Sequence, residues 1–204
     1  MQNTKYIQFN LSNLIQQRGE VYVKSLLSSF SCPLNPDVED FLKNKAIFFS
    51  QRGFAKTHLV FWSSQDYSEM EFVGYYSLAQ KSFTISKKSV SNKIYGHLKQ
   101  YGTYDSALQK YVISSILIGQ LGKNFTDGND TLISGAELLQ LAINKVKDIQ
   151  YESGGRYTYL ECEDFPYLRE FYKKNGFTEF GKRQLDSDET NIKGKYLIQY
   201  LKKL

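Results

Sequence analysis

Residues 112–121 are the most apolar stretch of the chain, and together with the loop and helix after them they limit the folds it can adopt. A run this short and this apolar reads as a central strand buried on both faces. The polar, glycine-containing loop 124–130 then leads into the best helix of the sequence. Leu138, Ala142, Val146 and Ile149 share one helical face. Ser134 and Glu137 give the S-x-x-E pattern, in which each side chain satisfies a backbone donor of the other residue at a helix start. A buried strand, a loop and a capped helix in succession point to helices packed on a sheet.

Upstream, Val21, Val23, Leu26, Leu27 and Phe30 are spaced for a first helix, which Pro33 breaks. Asn35 before Pro36 reads as the cap and first position of a second helix, carried by Val38, Phe41, Leu42, Lys45 and Phe49 to an end near Gly53. Strands are expected at 58–62 and 73–78, with Phe83 and Ile85 opening another. Residues 86–110 turn basic and tyrosine-rich without settling into one period. Downstream come a strand at 157–162, a helix marked by Leu168, Phe171 and Tyr172 and closed by Asn175-Gly176, and strands at 177–180 and 196–201. No repeat or linker interrupts this order, so residues 1–204 read as a single domain, with 1–34 as an N-terminal helical extension.

Composition narrows the class. The 204 residues are 41% hydrophobic, enough for a substantial core. The apolar run is too short to cross a bilayer, and the first residues lack the basic and apolar segments of a secretory signal, so a cytoplasmic, membrane-free protein is expected. Cys32 and Cys162 are read as reduced thiols. Neither they nor His58 and His97 have partners at metal-ligand spacing, so no metal is expected. The G-x-S-x-G, G-x-x-x-x-G-K-[ST] and G-x-G-x-x-G patterns are absent, which removes the minimum signal for hydrolase, P-loop and dinucleotide-binding readings. A net charge of +5 permits an anionic partner without requiring one.

Two segments carry a resemblance: Phe171, Tyr172, Asn175, Gly176 and Phe177, and Ile118-Gly119-Gln120-Leu121-Gly122 followed by Ser134-Gly135-Ala136-Glu137-Leu138-Leu139. With the element order, they make residues 35–201 similar to the GNAT superfamily of N-acyltransferases. The resemblance implies an α+β fold: a central mixed, largely antiparallel sheet with a splayed strand pair, flanked by helices. It also implies acetyl-CoA as acyl donor and a primary amine as acceptor, in a chain compatible with a homodimer. In the family the pantetheine arm pairs with the splayed strand, which here falls on Leu121, Gly122 and Lys123. A backbone N–H there would polarise the thioester carbonyl.

The pyrophosphate falls on Ser134, Gly135, Ala136 and Glu137. A helix start suits it physically, because its first N–H groups lack partners and carry the positive end of the macrodipole. The phosphate loop departs from the family pattern at Asp130, which has the wrong charge, and at Ile133, which replaces a glycine. Both lower the expected cofactor affinity. The family uses a tyrosine at the Tyr172 position as general acid toward the CoA thiolate. Taken alone, a tyrosine on an apolar helix face is a core residue, and Ser134 with Glu137 is only a cap. By residue type, Glu71, Glu161 and His97 are candidates for the general base.

Lys87, Lys88, Lys93, Tyr95, Lys99, Tyr101, Tyr104 and Lys110 interleave cations with flat rings, a pattern that can grip single-stranded RNA. A solvated loop is the ordinary alternative. Residues 37–78, with Phe41-Leu42, Gln51-Arg52-Gly53, Leu59 and Gly74-Tyr75-Tyr76, resemble more loosely the GNAT toxins that acetylate aminoacyl-tRNA. The acceptor implied by that branch is aminoacyl-tRNA. A metabolite or peptide amine is the alternative acceptor, and a catalytically inactive GNAT-like binding protein is the alternative class.

Overall fold

A computed structural model describes residues 6–88, 90–187, 192 and 194–204. Residues 1–5 of the amino-terminal stretch read for a leader signal, and Ser89 of the basic segment, lie outside the described residues. The chain is α+β, with strands β1 (Tyr6–Asn10), β2 (Lys56–Ser63), β3 (Met70–Ile85), β4 (Gly102–Asp105), β5 (Lys110–Lys123), β6 (Tyr157–Cys162), β7 (Thr178–Gln184) and β8 (Tyr196–Lys203); they hydrogen-bond in the order β1-β2-β3-β5-β6-β8-β7, β4 pairs β5, and helices occupy the connections. Only the β5–β6 ladder is parallel among the ladders described, so the sheet is mixed and largely antiparallel, as the sequence implied. By contacts the chain divides into two compact units.

The first unit takes in the residues up to Ala79 and Gly119–Ala142. It opens with a strand that the sequence reading did not anticipate, β1 (Tyr6–Asn10), paired antiparallel with β2 (Lys56–Ser63). Asn10 ends β1 and caps α1 (Leu11–Arg18), its side chain accepting from the N–H groups of Ser12 and Asn13. Helix α2 (Glu20–Ser28) follows. The proline-led helix is present but broken in kind. A short α3 (Pro36–Asp40), capped by Asn35, passes through a π-helical turn at Phe41–Lys45 into α4 (Ala46–Arg52). Gly53, at φ 74°, closes α4 in the left-handed conformation that glycine adopts without strain. Phe30, Phe41, Leu42, Leu59, Phe72 and Tyr75 are the heart of this unit's core.

The second unit takes in Gln80–Ile118 and Ile143–Leu204. The two short strands expected around 73–85 are one long strand, β3 (Met70–Ile85), whose last residues enter this unit. The unreadable segment contains α5 (Asn92–Leu98) and β4 (Gly102–Asp105), which makes a hairpin with β5 (Lys110–Lys123). Helix α6 (Gly135–Ser153), strand β6 (Tyr157–Cys162) and helix α7 (Pro166–Lys174) fall where the sequence put them. Strands β7 (Thr178–Gln184) and β8 (Tyr196–Lys203) complete the chain. Phe83, Ile113, Tyr157, Tyr159, Phe180 and Leu201 form this unit's core.

Both cysteines are buried free thiols. No helix among the described residues is long and apolar enough to cross a membrane.

The tyrosine-rich interior sets a pH dependence. Burial pushes the phenols of Tyr159 and Tyr200 up to about 12. The folded state therefore holds protons that the unfolded chain releases near pH ~10. The stability linked to these groups is fully present below pH ~10 and is lost as pH rises toward ~12. Urea unfolding midpoints measured from pH ~8 to ~11.5 should stay level at first and then fall.

Candidate functional site

The residues matched to the cofactor segment all lie in the first unit. There β5 ends in Gly119–Lys123, and Asn124 donates its backbone N–H to Val73 O at 2.9 Å. The β5–β6 ladder covers only Ile116↔Thr158, Leu117↔Tyr159 and Ile118↔Leu160. Among the described residues no strand pairs with the other edge of β5 from Gly119 to Lys123, so Leu121, Gly122 and Lys123 present unladdered backbone. Gly122 has its own packing reason: an added Cβ would run into Val38 and come within 3.4 Å of Phe30.

The cap at the start of α6 forms as the sequence indicated. Ser134 N donates to Glu137 Oε2 at 2.8 Å, and Glu137 N donates to Ser134 Oγ at 3.1 Å. Leu138 N donates to Ser134 O at 3.1 Å, which starts the helical ladder. The N–H groups of Gly135 and Ala136 therefore remain for an anion. The Glu137 carboxylate shares that helix end, and the Tyr6 hydroxyl donates to it at 3.1 Å and to Leu132 O at 2.9 Å. So β1, unseen in the sequence, helps fix the cap.

The loop between strand and helix explains both departures from the family pattern. Lys123 Nζ donates to Asp130 O at 2.9 Å and lies 3.8 Å from Asp130 Oδ2, so the misplaced negative charge faces an internal cation. Ile133 is 2% exposed: its side chain plugs the core, where glycine would leave a void. Asn124, singled out by no sequence signal, holds the loop at its root. Its Oδ1 accepts from Ser31 N at 2.9 Å and Thr126 N at 3.2 Å, and its Nδ2 donates to Phe72 O at 2.8 Å. An asparagine directly after a buried strand was the one available hint, since such residues satisfy turn backbone.

Tyr172 lies in the second unit, on α7. The Asn175-Gly176 stop is present: Gly176 has φ 81°, and Phe177 N donates to Tyr172 O at 3.0 Å. The ring packs 5.8 Å from Tyr200 and 5.9 Å from Phe177. At 8% exposure it is as buried as a core residue. Burial first, then Cys162, Tyr167 and Tyr200, pushes its phenol well above the ordinary value, so the hydroxyl keeps its proton throughout the neutral range. Among the described residues the sealed, unpartnered hydroxyls are those of Ser50 and Tyr200, not that of Tyr172.

The base candidates separate. Glu161 accepts from Arg183 Nε and from Gln199 Nε2, each at 2.8 Å, so both its oxygens are engaged and it acts as a strut. Glu71, in the first unit, is exposed and accepts a long bond of 3.4 Å from Asn129 Nδ2. His97 is exposed on α5, in the second unit. No cluster of metal-ligating side chains occurs among the described residues. Lys87, Lys88, Lys93, Lys99 and Lys110 are all exposed, as are Tyr101 and Tyr104.

No protein-family profile matches the chain, and no curated protein matches it in sequence. Solved structures do match in fold. AtaT complexed with acetyl-methionyl-tRNAfMet aligns at TM-score 0.60 and 16% identity, over 95% of this chain and 93% of that one. A tyrosine-to-phenylalanine mutant of KacT aligns at TM-score 0.60 and 14% identity, over 97% and 95%. AtaTR bound with acetyl-CoA aligns at TM-score 0.56 and 15% identity, over 98% and 93%. The chain has the GNAT fold of these toxins.

Proposed function

We propose that this chain is an acetyl-CoA-dependent N-acetyltransferase whose acceptor is the amino group of an aminoacyl-tRNA. The observation that carries the donor half is the unladdered edge of β5 at Leu121, Gly122 and Lys123, followed by a helix start with the Gly135 and Ala136 N–H groups unpaired. An extended pantetheine arm can pair with such an edge, as any added strand would, while a pyrophosphate accepts from the helix start. Ser134 and Glu137 hold that start in place. The fold neighbours support the same ligand, since one of them is bound with acetyl-CoA. The acceptor half rests on the exposed cations and tyrosines of residues 87–110 and on the neighbour complexed with acetyl-methionyl-tRNAfMet.

In this reading the amine nitrogen attacks the thioester carbonyl carbon, and the oxyanion is met by backbone N–H of β5. The C–S bond then breaks, the thiolate sulfur takes a proton from the Tyr172 hydroxyl, the new ammonium loses one to solvent, and solvent returns a proton to the Tyr172 oxygen. Transfer from a phenol of pKa ~10 to a thiolate of pKa ~8.5 is uphill by about 2 kcal/mol even before burial. Tyr172 therefore acts by a strong hydrogen bond or concerted transfer, not as a free acid.

The test is to mix the protein and labelled acetyl-CoA with aminoacyl-tRNA, with polyamines and with amino-terminal peptides, alongside calorimetry of acetyl-CoA and CoA. Label on the tRNA-borne amino acid, resistant to acid, is the expected result. Label on the small amines alone would assign a metabolite or peptide enzyme. No binding of acetyl-CoA at millimolar concentration would leave a GNAT-shaped interaction protein.

A further inference from the structure

The second unit contains a groove of about 930 Å³ that takes no part in the chemistry above. Its floor is β5 at Ser114 and Ser115 and the first residue of β6, Tyr157; its wall is the last turns of α6 and the loop through Gly154 and Gly155. The volume lies in the upper range of ligand sites. Two cations line it, Lys147 and Arg156, and no acidic side chain does. Neither cation has an acidic partner among the described residues. Burial first, and then the charge of Lys147, lowers the protonation of Lys202, whose ammonium is spent on Asn175 O at 2.6 Å. Leu204, the last residue of the sequence, also lines the groove, its N–H donating to Arg156 O at 2.9 Å, so its carboxylate partly offsets two side-chain cations that together favour an anion there.

Aromatic faces flank those charges. The Arg156 guanidinium lies 5.6 Å from the Tyr101 ring centre, and Tyr101 meets Tyr157 edge-on at 5.9 Å. Tyr151 lines the groove and is 89% exposed, an unusual outlay for a large ring with no partner to cover it. Gln80 and Gln150, whose Nε2 groups donate to Ser114 Oγ at 3.2 Å and Tyr157 O at 2.9 Å, add side-chain carbonyls able to accept from a base edge. Cations for phosphates, flat rings for bases and amides for base edges are the three components of a single-strand nucleic-acid groove.

We infer that this groove binds a single-stranded RNA segment, its bases stacked on Tyr101 and Tyr151 and its phosphates held by Lys147 and Arg156. The inference deepens the reading that the acceptor is an RNA, and assigns the RNA a second point of attachment besides the lysines of residues 87–110. Tyr101, common to that segment and to the groove, joins the two.

The test measures a fluorescent single-stranded RNA octamer on the full chain in the absence of acetyl-CoA, with acetyl-CoA calorimetry run separately on each variant. Replacing Lys147→Gln and Arg156→Gln together should weaken RNA about tenfold at ~0.1 M salt. The same pair should reduce the slope of log affinity against log salt by about 1.4, at ~0.7 per phosphate contact on single strands. Tyr151→Ala, at a site too exposed to disturb folding, should weaken RNA about tenfold with the slope unchanged. Acetyl-CoA affinity should stay constant in both variants. RNA affinity and slope unmoved by these changes would overturn the inference, as would a mononucleotide binding as tightly as the octamer, which marks a free-nucleotide pocket. Loss of RNA binding in the variants of a protein that never binds acetyl-CoA would instead sustain the groove and remove the transferase reading.

Discussion

Tyr172→Phe will fold, bind acetyl-CoA as tightly as the parent and turn over at least about a hundredfold more slowly, the usual cost of losing a positioned proton donor. The substitution keeps the ring that packs against Tyr200 and Phe177 and removes only the hydroxyl, a change that leaves no new void in the core. Stability should change little for the same reason. Steady-state kinetics with acetyl-CoA and the acceptor, a thermal melt and calorimetry separate the three quantities. Turnover equal to that of the parent would return Tyr172 to the core, where its 8% exposure alone would have put it.

Asn124→Ala will have the largest effect on stability of the single changes considered. The side chain is 1% exposed and makes three hydrogen bonds to backbone, so its removal leaves the N–H groups of Ser31 and Thr126 and the carbonyl of Phe72 to find other partners. Each buried orphan costs about 1–3 kcal/mol, and partial rescue by Asn129, whose Nδ2 also reaches Phe72 O at 3.4 Å, brings the expected total to about 3 kcal/mol. Chemical denaturation should show that loss. Acetyl-CoA affinity should fall with it, because the loop that leads to the α6 cap is anchored there. An acetyl-CoA affinity equal to the parent's in a destabilised variant would disconnect the loop from the cofactor.

The sequence made some elements legible because their signals were local. The Ser134–Glu137 box, the Asn35-Pro36 start and the Asn175-Gly176 stop each involve groups within a few residues of one another, and each forms as read. Strand β1 left no such trace. Its five residues are all half-buried, so no alternation marks it, and its partner β2 lies some fifty residues away. The π-helical turn at Phe41–Lys45 was equally invisible, since one extra residue in a turn preserves composition and shifts only the register. Asp130 and Ile133 read as damaged positions of a phosphate loop. Their reasons, a cation at 3.8 Å and a place in the core, depend on tertiary neighbours that no spacing encodes. The groove was half-readable: Tyr101 belongs to the basic segment, while Lys147 and Tyr151 come from a helix end read for its apolar face alone and Arg156 from the loop after it.

The carboxylate of Glu137 and a bound diphosphate are rival counter-ions of one helix dipole. An anion arriving at Gly135 and Ala136 meets a charge of its own sign already in residence, and that resident is tethered by Ser134 and by the Tyr6 hydroxyl. In the proposed transferase a diphosphate would add to that carboxylate and not replace it, because Glu137 accepts from Ser134 N and leaves the Gly135 and Ala136 N–H groups to the ligand. Repulsion between the two anions would then reduce the free energy of docking, so that the glutamate that holds the helix start also limits how tightly the thioester is held.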